Sequence, residues 1–182
     1  MKKEKKRAFT TKEMVLIGMM AAVMAVISQL QIPTPGGVPV TIQVFGVALI
    51  GSILGSKRGF MTILVYVLIG AVGAPVFAGM QGGLQVLTGM AGGYIWGWFA
   101  LVLLAGIRPN LKNAKTNITL TVIAALIGLM ICEFVGGLQW AFLSNGDIKT
   151  IMIYSFTAFI PKDIVITVLG VILGRPMRKI VE

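Results

Sequence analysis

Apolar residues come along this chain in stretches of about 15 to 25, the length a helix needs to cross a hydrocarbon core of about 30 Å. The pattern predicts six spans: Met14 to Leu30, Val40 to Leu54, Phe60 to Val72, Leu87 to Leu104, Ile118 to Leu143, and Pro161 to Leu173 with a flank to Lys179. Polar punctuation marks the joints. Ser144 to Asp147 reads Ser-Asn-Gly-Asp, so Asp147 to Phe159 is expected as an interfacial turn and short helix, not as a span. The expected architecture is an all-α integral membrane protein with a basic tail over 1–13, one six-helix transmembrane domain over 14–179, and a short tail over 180–182. No internal repeat is detected. The apolar run after the basic tail is long and lacks a small-residue cleavage site, so it reads as a signal anchor.

Composition agrees: 57% of the 182 residues are hydrophobic, 12% are charged, and the mean hydropathy is +0.92. A soluble domain of this size could not cover so much apolar surface with so few charges. Six spans of roughly 20 residues take about 120 positions, which leaves no room for an appended soluble domain. The chain has no histidine, which excludes histidine-based triads, zinc sites of the H-E-x-x-H type and imidazole proton shuttles. Its one cysteine, Cys132, lies in an apolar run and reads as a small core residue. An enzyme is therefore not expected.

The net charge of +10 is distributed unevenly. Six of the sixteen Lys and Arg residues lie in Met1 to Lys12; Lys57, Arg58, Arg108, Lys112, Lys115, Arg175, Arg178 and Lys179 fall on the same side of the alternating spans. Only Lys149 and Lys162 border the other side. By the positive-inside bias both termini are cytoplasmic in a multi-pass protein of the cell membrane, which agrees with an even number of spans. The basic charge reads as topology and attraction to anionic lipid, not as a nucleic-acid surface.

Candidate chemistry lies in the less charged connections and inside the spans. Ile32 to Pro39 and Gly73 to Gly83 are uncharged and rich in Pro and Gly. Irregular backbone near lipid is tolerated where it is buried in protein or lines a cavity, so these loops either cover something or are ordinary tight turns. Nine of the 28 residues from Gly70 to Gly97 are glycine, beside Tyr94, Trp96 and Trp98; the small face admits either a flat ligand or a closely packed helix. Two acids within spans are functional candidates because a charge near the bilayer centre costs at least about 2.5 kcal/mol. Asp163 shares a stripe of small and polar residues with Thr167, Gly170 and Gly174 and should point inward, although Pro161 and Asp163 also suit a helix start. Lys162, about 100° around the helix, either snorkels to the interface or joins the site. Glu133 sits on an arc with Gly128, Cys132, Gly136, Gly137, Gln139 and Trp140 and should also face inward, protonated or hydrogen-bonded. Gly51 to Arg58 has the spacing of a phosphate-binding loop but carries Ser56 for the second glycine and Arg58 for the magnesium ligand, so it is a turn. Gly18, Ala21, Ala22 and Ala25 form small pairs on the first span that suit docking of a helix from the same bundle or from another subunit.

Together, Pro33 to Gln43 (PTPGGVPVTIQ), the Gly55 to Gly59 turn (GSKRG), Gly70 to Gly79 (GAVGAPVFAG), Gly92 to Tyr94 (GGY) and Pro161 to Asp163 (PKD) resemble the BioY family, over about residues 14 to 179. The resemblance implies a six-helix S-component fold that captures biotin from outside, without a cofactor, for a transmembrane coupling protein and two cytoplasmic ATPases. It implies a pocket in the outer halves of the later helices, with Asp163, Lys162, Gln43, Gln85, Tyr94 and Glu133 as ligand-binding candidates. It also implies a coupling face at Gly18, Ala21, Ala22 and Ala25. A buried carboxylate such as Asp163 would accept ureido N–H groups, Gln43, Gln85 or Tyr94 would donate to the ureido carbonyl, and Lys162 would neutralise the ligand's carboxylate. The family's Pro-x-Asp-x-x-Lys pattern is broken here by Ile166, with lysine at Lys162 instead. An autonomous proton-coupled secondary transporter using Glu133 and Asp163 is the alternative, and a scaffold protein without small-molecule binding a third reading.

Overall fold

The structure, a computed structural model, describes residues 9–34, 37–110 and 113–181. Most of the expected basic tail, together with Lys112, lies outside the described residues. The chain forms α1 (Thr11–Ile27), a two-stranded antiparallel ribbon of β1 (Gln31–Ile32) and β2 (Val40–Thr41), α2 (Gln43–Leu54) and α3 (Ser56–Ala71). A 3-10 turn at Ala78–Met80 and the one-turn α4 (Leu84–Thr88) lead into α5 (Gly92–Ala105), α6 (Ala114–Leu143) and α7 (Ile148–Val181).

Local sequence sets the helix starts. Thr10 and Glu13 form a reciprocal capping box on α1, the Asn113 side chain accepts from the Lys115 N–H at α6, and Asp147 accepts from both the N–H and the hydroxyl of Thr150 at α7. The two Thr150 hydrogen bonds hold the exposed Asp147 carboxyl below its ordinary range.

The 30 residues of α6 and the 34 of α7 are long and apolar enough to cross a membrane. By contrast α2 and α5, with 12 and 14 residues, reach only about 18 to 21 Å at about 1.5 Å per residue. The outer surface of the bundle is apolar: Met14, Val15, Met19, Val23 and Val26 on α1, Ile123, Ile127, Ile131 and Phe134 on α6, and Leu169, Ile172 and Leu173 on α7 are all exposed. So extended an apolar surface suits lipid, not water.

Inside, small residues bring backbones together. A Cβ on Gly93 or Gly97 would collide with Val135, Gly136 or Cys132 of α6, and one on Gly170 or Gly174 with Phe45, Leu49 or Ser52 of α2. The glycine face of α5 thus serves helix packing, and Cys132 is a buried core residue whose thiol donates to the Tyr94 carbonyl. Asp163, Thr167, Gly170 and Gly174 form the buried stripe expected of them. The segment with phosphate-loop spacing is the turn between α2 and α3, where Gly55 adopts φ 80° beneath the Arg108 guanidinium, a conformation and an approach that both favour glycine.

Several expectations need correction. The predicted break between a short helix over Asp147 to Phe159 and a span opening at Pro161 is absent, because α7 runs unbroken through Pro161 and Pro176. Proline costs the ladder only the hydrogen bond to the fourth carbonyl before it, and packing on α2 and α6 carries the helix across. Asp163 therefore lies about four turns into α7 and has no helix-start role. The expected span from Leu87 is cut at Gly89 to Ala91, so α5 starts deeper, at Gly92. Residues 180 and 181 are not a tail but continue α7. Helical packing also divides the small face of α1: Gly18 and Ala22 are exposed, Ala25 is half-buried, and Ala21 is 4% exposed inside the bundle.

Candidate functional site: a cavity under uncharged loops

The loops at one end of the bundle are held by specific contacts. The ring of Phe77 lies where a side chain on Gly70 would be, and meets Tyr66 edge-on at 5.6 Å. Tyr66 donates to the Val76 carbonyl at 2.9 Å and shares a 2.8 Å hydrogen bond with Ser28 at the end of α1. Gln29 accepts from the Met80 N–H at 2.9 Å, and the Gly83 N–H donates to the Gly70 carbonyl at 2.7 Å. On the other side the Gln139 amide of α6 donates to the carbonyls of Leu87 and Gly89, and the Trp96 indole also donates to Leu87. Buried irregular backbone is in this way given partners.

Beneath lies a cavity in which the centre of a water-sized sphere has about 120 Å³ to move. One water needs roughly 10–15 Å³ by that measure, so the space suits a small organic molecule. Its floor is helical: Gln43 and Val44 of α2, Tyr94, Ile95 and Trp98 of α5, Glu133 of α6, and Phe159, Lys162 and Asp163 of α7. Its roof comes from the connections, with Gln31, Val38, Pro39, Thr41, Phe77, Gln81, Val86 and Ala91 among the residues facing it. Every charged side chain of the lining is in the floor.

Lys162 does not snorkel away. Its Nζ donates to the Thr41 carbonyl at 2.5 Å and to Asp163 Oδ1 at 2.5 Å, tying the ribbon to α7; the Lys162 side chain is 28% exposed and that of Asp163 only 3%. Glu133 is 1% exposed, and its Oε2 has no hydrogen-bond partner. Tyr94 packs edge-on to Phe159 at 5.8 Å, shares a 2.6 Å hydrogen bond with Ser155, and lies over Gly136, where a Cβ would exclude its ring.

Of the predicted ligand residues, Asp163, Lys162, Gln43, Tyr94 and Glu133 converge on this cavity. Gln85 does not: it is exposed in α4, its amide donates to the Gly82 carbonyl at 2.5 Å, and it faces a separate outer recess. The bend before α5 turns it outward, and Gln81 faces the cavity instead. Trp98, singled out in the sequence beside the glycines, is a wall residue, whereas sequence reasoning missed Phe77 and Phe159; Gly70, against which the Phe77 ring rests, was the available signal for the first. Among the described residues no three His, Cys, Asp or Glu side chains converge as a metal site requires.

The whole chain, residues 1–182, matches the model of the BioY family. It is 32% identical over 174 residues to the biotin transporter BioY of Rhodobacter capsulatus, spanning 90% of this chain and 92% of that one. Identity to the biotin transporter BioY of Thermotoga maritima is 31% over 169 residues, 93% and 97% of the two chains. The probable biotin transporter BioY of Pyrococcus horikoshii is 39% identical over 126 residues, 69% of this chain and 77% of its own. In three dimensions the chain resembles the crystal structure of the S-component for biotin from an ECF-type ABC transporter, with a TM-score of 0.82 and 30% identity over 94% of this chain and 95% of that one. With a family match from first residue to last and two relatives aligned over nine-tenths or more of both chains, the chain belongs to the BioY family.

Proposed function

We propose that this protein is the biotin-binding S component of an energy-coupling factor importer, which captures biotin from outside and hands it to a membrane coupling protein driven by two ATPases. Membership of the BioY family and the likeness to a biotin S-component support the reading. The observation that carries it to the level of residues is the cavity floor, where one lysine, two buried acids and three aromatic rings meet under an uncharged roof. Biotin has a ureido ring, an apolar thioether ring and an anionic tail. Among the described residues Lys162 is the one cation lining the cavity, and it neutralises the tail carboxylate; Gln43 and Tyr94 donate to the ureido carbonyl; Phe77, Trp98 and Phe159 enclose the bicycle.

In this reading α1, α2, α3, α5, α6 and α7 are the six spans of a cell-membrane protein. Lys57, Arg58 and Arg108 gather at the end of the bundle opposite the cavity roof, which is the cytoplasmic end by the positive-inside bias, so both termini are cytoplasmic. The exposed Gly18 and Ala22, with Ala25 beside them, are the docking strip for the coupling protein, and Ala21 is excluded from it by burial.

Equilibrium binding of labelled biotin to the purified chain tests the capture role, and saturable binding is expected. Uptake into proteoliposomes tests the energy source: accumulation should require the coupling protein, the ATPases and ATP. Concentrative uptake by this chain alone under a proton gradient would establish a secondary transporter instead.

A further inference from the structure

We infer that Glu133 accepts a ureido N–H of bound biotin and is a specificity-determining residue of the cavity, an inference that rests on the biotin reading above. Three charged side chains line the cavity, and two are engaged with each other: Asp163 Oδ1 is held by Lys162, which also holds the Thr41 carbonyl. Glu133 is the third, 1% exposed on α6, with Oε2 unpaired. A carboxyl oxygen out of water and without a donor is costly, and folded proteins satisfy nearly all such groups.

None of the neighbouring polar groups is bonded to Oε2. The Tyr94 hydroxyl is shared with Ser155, the Cys132 thiol donates to the Tyr94 carbonyl, and the Lys162 ammonium bridges Asp163 and Thr41. The remaining floor residues on α5, Ile95 and Trp98, are buried and neither bonds to Oε2, so the donor that suits it is one carried by a molecule in the cavity. The two N–H bonds of a five-membered cyclic urea diverge on either side of its carbonyl, so each needs its own acceptor. A buried carboxyl without a partner matches one of them.

Ligand analogues separate this role from a structural one. In 2-iminobiotin the ureido carbonyl is replaced by an iminium that spreads positive charge over the ring N–H groups; biotin methyl ester keeps the ureido ring and removes the tail charge. Equilibrium dissociation constants for biotin and both analogues are measured on the full chain and on E133Q, E133D and K162A. E133Q should weaken biotin and its methyl ester by the same factor, tenfold or more, which is about 1.4 kcal/mol, and weaken 2-iminobiotin by at least a further tenfold. E133D, which keeps the carboxyl but retracts it by one methylene, should weaken biotin and ester alike while preserving the native preference between biotin and 2-iminobiotin. K162A should affect biotin more than the ester.

Native affinities in E133Q overturn the assignment, and so does a loss confined to biotin and absent from the ester, which would put Glu133 at the tail. Should E133Q fail to fold, native affinities in E133D decide against it in the same way. An unaltered chain that binds none of the three ligands overturns the biotin reading itself.

Discussion

At one end of the bundle a single residue, Gly55, joins α2 to α3, and Lys57, Arg58 and Arg108 surround a recess with Phe9 and Glu13. At the other, residues 28–42 and 72–91 carry no charge and fold over a cavity. In the proposed orientation the basic end meets water and anionic lipid, so short turns and long cations suffice there, and Lys57 rests its charge 5.1 Å over the Phe9 ring. Irregular backbone at the loop end finds partners in protein side chains, through Tyr66, Gln29 and Gln139. Charge orients such a protein, and uncharged irregular backbone builds its site.

If the two ends divide coupling from capture, they can be disabled separately. The largest effect is expected from Ala22→Trp on the exposed strip of α1: ATP-driven uptake in proteoliposomes should fall to background while biotin affinity of the isolated chain stays within about twofold. Ala21→Trp, by contrast, overpacks a position 4% exposed and should lower the yield of folded, monodisperse protein. Parallel loss of binding and uptake in Ala22→Trp would break the division.

Next comes Gly70→Leu, which displaces the Phe77 ring from the roof. Overpacking costs about 1–3 kcal/mol, so biotin should bind up to about 100-fold more weakly, measured by equilibrium binding, with helical content by circular dichroism unchanged.

Asp163→Asn should weaken biotin by more than tenfold, since a charged acceptor exchanged for an amide loses about 1.5 to 3 kcal/mol. A snorkelling lysine would make Lys162→Ala milder. Because Lys162 is instead bonded to both Asp163 and Thr41, its loss should be comparable, and the double variant should cost less than the product of the single effects. Strict additivity would mean that the pair does not act as a unit.

The smallest effect is expected at the basic end. Lys57→Gln removes an exposed cation from the Phe9 ring, a contact of about 0.5–1 kcal/mol, and should change biotin affinity by less than twofold. A tenfold change would mean that the two ends communicate.

Much of this molecule is legible in the residues. Asp163, Thr167, Gly170 and Gly174 share a helical stripe in sequence and a buried face in the structure, because a period of 3.6 residues is a property of the backbone. Gln43, Tyr94, Glu133, Lys162 and Asp163 meet in one cavity although up to 120 residues separate them along the chain. Gln85 was misjudged because its direction depends on the bend at Gly89 to Ala91, which a run of apolar and glycine residues does not announce. The start of α7 differs from the expected one because Pro161 reads locally as a first-turn residue, whereas packing on α2 and α6 carries the helix through it.

What the sequence determines alone is governed by local or additive physics: apolar length against bilayer thickness, the sign and position of charges, small residues at helical spacing, and the family to which these motifs belong. What only the tertiary structure decided depends on which groups are already engaged. Asp163 suits a helix start and Lys162 a snorkelling cation in the chain, yet Lys162 proves to bridge Asp163 and the Thr41 carbonyl. Ala21 and Ala22 are adjacent and alike, yet one faces the bundle and the other the exterior. Glu133 is one acid among six in the sequence, and only the three-dimensional hydrogen-bond network leaves its Oε2 unpaired beside the cavity. Satisfaction of a polar atom is a property of its surroundings, and those surroundings come from four different helices and two loops.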